Sequence, residues 1–213
     1  MIIESLSIVD FKDKTATSYD FSDGTNLIVS TGNKKGKSSL LKSIYYTLGF
    51  DIRQFPSGWN ISNKVFQLKV KFDDGISHTV TRQSDIYKVD ADDTPLNSKE
   101  YSEWLQITLG IDMKLPNKQS KKLHSVYSTA LLLPFYIDQD DSWDGVLYRR
   151  VSDTLGQYSD VPKGIFEYIF SISDIEVQKL QNQINQYSEY IKVCNSIIDN
   201  LGKVLDNYKE KTS

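Results

Sequence analysis

Apolar positions at Ile2, Ile3, Leu6, Ile8 and Phe11 roughly alternate with polar ones, and that period of two predicts an opening strand. Tyr19-Asp20-Phe21 continues as a second short strand, and Ser22-Asp23-Gly24-Thr25 reads as a turn, since Asp-Gly tolerates positive φ. Asn26-Leu27-Ile28-Val29 predicts a brief apolar strand of the kind buried inside a sheet, and residues 30–36 read as loop. From Lys37 to Leu48 the period becomes helical: Leu40, Leu41, Ile44, Tyr45 and Leu48 share one face, and Gly49 supplies the stop. Val65 to Phe72 alternates, turns at Asp73-Asp74-Gly75 and returns over Ser77 to Thr81 as a hairpin, with Ile86 to Val89 a candidate third strand. Lys99 to Leu109 reads as a short helix ending at Gly110. Residues 114–122 hold four lysines and no acid and read as an exposed loop, followed by the apolar run Leu131 to Ile137 and acids from Asp138 to Asp144.

The pattern changes near residue 174. All five prolines lie before it; after it come Gln, Asn, Ser, Lys and Ile with one glycine, Gly202. The boundary divides a mixed α/β head, residues 1–173, from an arm, residues 174–213. In the arm, Val177, Leu180, Ile184, Tyr187, Ile191, Cys194, Ile198, Leu201, Leu205 and Tyr208 follow one another in 3-4 steps. Of the other 22 positions between 177 and 208, four are apolar (Tyr190, Val193, Ile197 and Val204), so the arm predicts a coiled-coil helix, with Cys194 an apolar filler on its seam.

Composition narrows the class. A chain of 213 residues with 39% hydrophobic content is too apolar to be disordered, and no apolar run approaches the ~18 residues that cross a bilayer. Met1-Ile2-Ile3-Glu4 opens without a signal-peptide pattern, and a cytoplasmic chain with no membrane partner is expected. One cysteine excludes an internal disulfide, and a net charge of −3 argues against a uniformly basic nucleic-acid coat.

Residues 30–39 carry the candidate chemistry: Ser-Thr-Gly-Asn-Lys-Lys-Gly-Lys-Ser-Ser. Gly36, Lys37 and Ser38 match the end of the phosphate-loop pattern G-x-x-x-x-G-K-[ST], while Thr31 replaces its first glycine and Gly32 follows one place later. An apolar strand entering and an amphipathic helix leaving would aim the backbone N–H groups of Gly32, Asn33, Lys34, Lys35 and Gly36 at phosphates. Lys37 would place a cation by the β and γ groups, and Ser38 would offer a hydroxyl to Mg²⁺. Threonine at position 31 would be strained if that position required positive φ. A lysine-rich turn opening an ordinary helix is the plainer reading of the same letters.

With these residues stands a resemblance. "Ile-Glu-Ser-Leu-Ser-Ile-Val-Asp-Phe-Lys", then "Asp-Gly-Thr-Asn-Leu-Ile-Val" and "Gly-Asn-Lys-Lys-Gly-Lys-Ser-Ser-Leu-Leu-Lys-Ser-Ile" resemble the N-terminal lobe of an SMC-type ABC ATPase, the superfamily of condensin, cohesin, RecN and the double-strand-break-repair ATPases. The resemblance implies a P-loop NTPase head lobe of ABC type with a mixed sheet, followed by a long coiled-coil helix. It implies ATP and Mg²⁺ as cofactors, with Phe11-Lys12, Asn33, Lys37, Ser38 and Ser39 in nucleotide-contacting places. Gln139 falls where the family carries its Q-loop glutamine, which touches Mg²⁺ and the attacking water, and is the implied catalytic residue. "Pro-Phe-Tyr-Ile-Asp-Gln-Asp-x-x-Trp" most resembles the SMC-like subunits of anti-phage systems of the Lamassu type.

The family's Ser-Gly-Gly signature and an apolar strand ending in Asp-Glu do not occur, so the sequence is expected to be an N-terminal fragment completed by a C-terminal lobe of the same protein. The resemblance further implies an ATP-dependent dimer with a second copy of the head, double-stranded DNA as partner, and accessory or effector subunits. The function expected is an ATP-driven clamp on DNA; a small self-contained P-loop kinase and a degenerate nucleotide-binding scaffold are the alternatives. Other signals stay open. Lys114, Lys118, Lys121 and Lys122 are DNA-phosphate contacts or a solvated loop; Arg82, Arg149 and Arg150 are phosphate contacts or surface charges; Asp138, Asp140, Asp141 and Asp144 lack an EF-hand pattern; His78 and His124 suggest no dyad.

Overall fold

A computed structural model describes residues 1–32, 36–52, 54–137, 153–170 and 175–212. The opening alternation becomes β1, Ile2–Asp10, which turns through Phe11 to Lys14 into β2, Thr15–Asp20. The second strand therefore starts earlier than its apolar residues suggest, because pairing with β1 rather than burial defines it; every β2 residue is exposed. The predicted hairpin forms as β3, Lys64–Lys71, and β4, Ser77–Gln83, and β5, Ile86–Val89, follows. These strands make one five-stranded sheet of order β2-β1-β3-β4-β5, antiparallel at each pairing. Leu6, Ile8, Phe66, Leu68, Val70 and Val80 fill its covered face.

Helix α1, Lys37–Thr47, packs across β3 and β4 through Leu40, Ile44 and Tyr46, and Leu48 just beyond it is buried too; Leu41, expected on that face, is 40% exposed. Gly49 stops α1 at φ +98, and a Cβ there would lie 2.4 Å from Ser128 Oγ, so both backbone and space require glycine. Helix α2, Ser98–Leu109, begins in a capping box the apolar pattern does not reveal: Asn97 accepts from Lys99 and Glu100 N–H, and Glu100 accepts from Asn97 N–H. Gly110 ends it at φ +65. Tyr101 of α2 stacks on Tyr87 of β5 with ring centroids 4.2 Å apart.

Two expectations are corrected, and the apolar run at 131–137 takes a definite form. Residues 26–29 form no strand: Leu27 is 84% and Val29 74% exposed, while Ile28 packs against the core. Among the described residues no strand pairs with the segment, so it is not buried in a sheet, and the parallel pairing of a mixed sheet does not occur there. The lysine-rich stretch is no plain loop: β6, Lys114–Pro116, pairs with β7, Leu123–Ser125, because Leu115 is drawn into the core. The apolar run is helical over 131–135 and extended from Tyr136: α3, Ser128–Leu132, continues into a 3-10 turn over Leu133–Phe135. A four-residue α4, Asp153–Gly156, and α5, Val161–Ile169, precede α6, Ile175–Thr212. Its 38 residues make a helix about 57 Å long at ~1.5 Å per residue.

Candidate functional site

The site is the junction of residues 30–32 with the start of α1. Gly36 adopts φ +86 immediately before the helix, a left-handed conformation that glycine takes without a Cβ penalty. Thr31 is not among the positive-φ residues, so threonine in place of the first glycine carries no such strain. The first turn of α1 contains no acidic residue, and its free N–H groups and dipole leave a positive end unneutralised by its own helix. Lys37 folds back over the loop: its ammonium donates to Ser30 Oγ at 2.7 Å and to the Gly32 carbonyl at 3.3 Å. Ser30 Oγ donates in turn to the same carbonyl at 2.7 Å. The cation thus rests on neutral acceptors. Ser38 is exposed at the helix start, whereas Ser39 is buried, its carbonyl accepting from Ser43 Oγ. Ser39 is turned into the packing and not toward the loop's open side.

Among the predicted site residues, the structure brings together Gly32, Gly36, Lys37 and Ser38. Lys12 lies elsewhere, exposed on the β1–β2 turn, and no hydrogen bond or ion pair joins it to the loop among the described residues. Asn33, Lys34, Lys35 and Gln139 lie outside the described residues, as do Asp138, Asp140, Asp141, Asp144, Arg149 and Arg150. Which residues would hold a nucleotide follows from donor chemistry: the Gly36 junction and α1 amides for phosphate oxygens, Lys37 for their charge, Ser38 for Mg²⁺. Sequence reasoning missed Ser30, which holds Lys37; a hydroxyl at the mouth of a glycine-lysine loop was the available signal.

The other candidates resolve into structure. Arg82 is buried between aromatic rings, its guanidinium carbon 3.7 Å from the Tyr46 centroid and 4.8 Å from that of Tyr87. It donates to the carbonyls of Tyr46, Phe50 and Ser84, so it is neither a phosphate contact nor a surface charge. Lys114 pairs with Asp112, and Lys118 donates to the Gly156 carbonyl. His78 Nδ1 lies 2.7 Å from Asp90 Oδ2, and Asp90 Oδ1 also accepts Thr79 N–H, so the pair ties the open end of the β4–β5 hairpin, opposite its turn. His124 meets Ser120 Oγ. No cluster of metal-ligating side chains occurs among the described residues, and no described helix is long and apolar enough to cross a membrane.

Fold and site together define a head of antiparallel sheet and helices with a Gly-Lys-Ser loop opening its first helix, carrying a long helical arm. Its homologues include two proteins named Lamassu protein LmuB: one from Bacillus sp. strain NIO-1130, 52% identical over all 213 residues, and one from Bacillus cereus strain VD014, 35% identical over 179 residues. The alignments take in 100% and 82% of this chain but 38% and 31% of those relatives' own length. No model of a known protein family matches the sequence.

Proposed function

We propose that this chain is the ATP-binding part of the head of an SMC-like ATPase acting in anti-phage defence. Similarity to two proteins named for Lamassu supports the defence context. The observation that carries the nucleotide reading is Gly36 at φ +86 opening α1, with the Lys37 ammonium folded over the loop onto Ser30 and Gly32. Such a junction offers amides, a helix dipole and a cation to one anion. In the proposed cycle, Lys37 grips the β and γ phosphates, Ser38 helps hold Mg²⁺, and Gln139 orients Mg²⁺ and water. A C-terminal lobe completes the site, two heads join on ATP, and hydrolysis releases them, moving arms that hold double-stranded DNA and engage accessory or effector subunits.

The test uses the full-length protein. Lys37→Ala should weaken ATP binding itself, because the lysine contacts the bound phosphates in the ground state. Gln139→Leu should leave affinity nearly intact and lower turnover, the pattern of an interaction made chiefly in the transition state. Nucleotide titrations and steady-state rates decide: unchanged ATP affinity in Lys37→Ala rejects the nucleotide reading, and equal loss of binding in both variants rejects the role given to Gln139.

A further inference from the structure

The five-stranded sheet has one edge covered by its own chain and one left open. Beyond β5, Tyr87 and Leu96 exchange both backbone hydrogen bonds, at 2.9 and 2.8 Å, so residue 96 covers that side. At the other edge lies β2, whose residues Thr15–Asp20 are all exposed, and no strand among the described residues pairs with its outer side. Free edges are commonly blunted by proline, lysine or a bulge. The six residues of β2 contain neither proline nor lysine, and its register with β1 is unbroken. Its threonines and tyrosine are instead residues that favour strand pairing.

The hydrogen bonds decide which amides of β2 are free. Phe21 N–H donates to the Glu4 carbonyl at 2.9 Å, and Phe11 N–H to the Asn63 carbonyl at 3.1 Å. Even-numbered residues of β1 thus turn their backbone groups to β2, and odd-numbered ones turn theirs to β3. In β2, Thr15, Thr17 and Tyr19 face β1, while Ala16, Ser18 and Asp20 direct their N–H and C=O groups outward. Those outward groups have no partner among the described residues. A second β2 laid antiparallel must set outward residues against outward residues, so paired positions are both even or both odd. One such register sets Lys14, where the turn ends at φ +52, opposite Asp20 of the second copy. Thr15 then meets Tyr19, Ala16 exchanges hydrogen bonds with Ser18, and Thr17 meets itself on the two-fold axis. Neither Lys14 nor Asp20 has an ion-pair partner among the described residues, so both charges are available for this pairing.

We propose that β2 is a docking edge for a second copy of this chain: two heads join antiparallel through β2, with Lys14 against Asp20, and form one continuous sheet. Main-chain hydrogen bonds supply the attraction, and the two Lys14–Asp20 pairs fix the register. The two-fold axis stands perpendicular to the sheet, so α1 lies on the same side of it in both copies. This contact involves no residue of the Gly36–Lys37 loop and requires no nucleotide.

The experiment is disulfide crosslinking of the full-length protein without nucleotide, comparing Thr17→Cys with Ser18→Cys. Both carry Cys194→Ser, since Cys194 is free and exposed. On the axis Thr17 faces its own copy in a non-hydrogen-bonded pair, with Cα atoms about 4.5 Å apart, inside the ~4.4–6.8 Å that a disulfide spans. Ser18 is diagonal to its own copy at about 7–8 Å, outside that span. Mild oxidation should convert Thr17→Cys into a covalent dimer and leave Ser18→Cys monomeric on a denaturing gel. Ser18→Pro removes an outward N–H while sparing the bonds to β1, so adding it to Thr17→Cys should abolish the crosslink and leave the melting temperature nearly unchanged. Asp20→Lys should slow crosslinking about tenfold, because two attractive pairs become repulsive, and adding Lys14→Asp should restore the rate. These charge variants carry the test by themselves should Ser18→Pro disturb the head. No crosslink in Thr17→Cys, equal crosslinking of the two cysteine variants, a crosslink that survives Ser18→Pro, or no recovery in the charge-swapped double variant overturns the proposal. Lys37→Ala should crosslink at the native rate, whatever its effect on ATP binding, so the docking edge and the nucleotide reading fail separately.

Discussion

Arg82 ties the sheet to α1, and its removal gives a prediction whose size can be worked from the contacts. Its guanidinium donates from β4 to the carbonyls of Tyr46 and Phe50 at the end of α1, and to Ser84 in the β4–β5 turn, between the rings of Tyr46 and Tyr87. Each of those carbonyls has a second donor: Gly49 N–H for Tyr46, Ile52 N–H for Phe50, and the Tyr46 hydroxyl for Ser84. No acceptor is therefore orphaned when the arginine is lost, and the full penalty for an unpaired buried carbonyl does not apply. What remains is the net worth of the charge-assisted bonds, about 1.5–3 kcal/mol, and a desolvated cation–π contact of about 2 kcal/mol. These overlap, so Arg82→Ala should cost roughly 3–4 kcal/mol in all.

The assay is urea denaturation followed by tryptophan fluorescence, with the slope unchanged so that the midpoint shift reports stability. Arg82→Lys should recover less than half of the loss, since an ammonium lacks the planar fork that meets three carbonyls. Native stability in Arg82→Lys, or a cost below about 1 kcal/mol in Arg82→Ala, would refute the assignment of Arg82 as a structural tie.

Two further outcomes are expected. Gly49→Ala must place a Cβ 2.4 Å from Ser128 Oγ and 2.8 Å from Tyr101 Cε1 at φ +98, and should lower stability by about 2–4 kcal/mol in thermal or chemical melts. Ile184→Lys with Ile191→Lys alters two seam residues of α6 that are 55% and 58% exposed; the head's melting should be unchanged while sedimentation loses any association through the arm, and unaltered association would remove the seam as an interface.

The sequence was legible wherever a local rule decides the outcome. Asp73-Asp74-Gly75 marks the β3–β4 turn, Gly49 and Gly110 mark helix ends, and the alternation of β3 places Phe66, Leu68 and Val70 in the core, all found at those places. The loop opening at Gly36 was readable for the same reason: glycine at a left-handed residue before Lys37 is a short-range requirement. Features set by distant partners were not readable. Arg82 looks like any basic residue at a strand end until α1 brings carbonyls and an aromatic ring to it. Asp10 and Lys64 are 54 residues apart in sequence, and only the antiparallel register makes them a pair. Leu115 gave no sign that a lysine-rich stretch would fold as a hairpin, since one buried leucine among four lysines leaves no periodic trace.

Two failures of burial point the same way. Leu27 and Val29 belong to a four-residue stretch whose apolar residues run without alternation, which suits a strand covered on both faces, yet both are exposed. The α6 seam is spaced for a partner helix, yet Leu180, Ile184, Tyr187, Ile191, Ile198 and Leu201 are each more than half exposed. Neither stretch is unusual alone, since folded surfaces carry much apolar area. Their periodicities differ, however, and each matches a different missing neighbour: a sheet strand for one and a helix for the other. The relatives, of which this chain spans 38% and 31%, have length in which both neighbours could reside. Under the proposed reading, a C-terminal lobe would lay a strand beside residues 26–29 and thereby fix the strand–loop–helix unit around Gly36 and Lys37. On that reading the proposed phosphate site and the uncovered residues 26–29 are one requirement, because the segment entering the loop would become a strand, and rigid, only when its neighbour arrives.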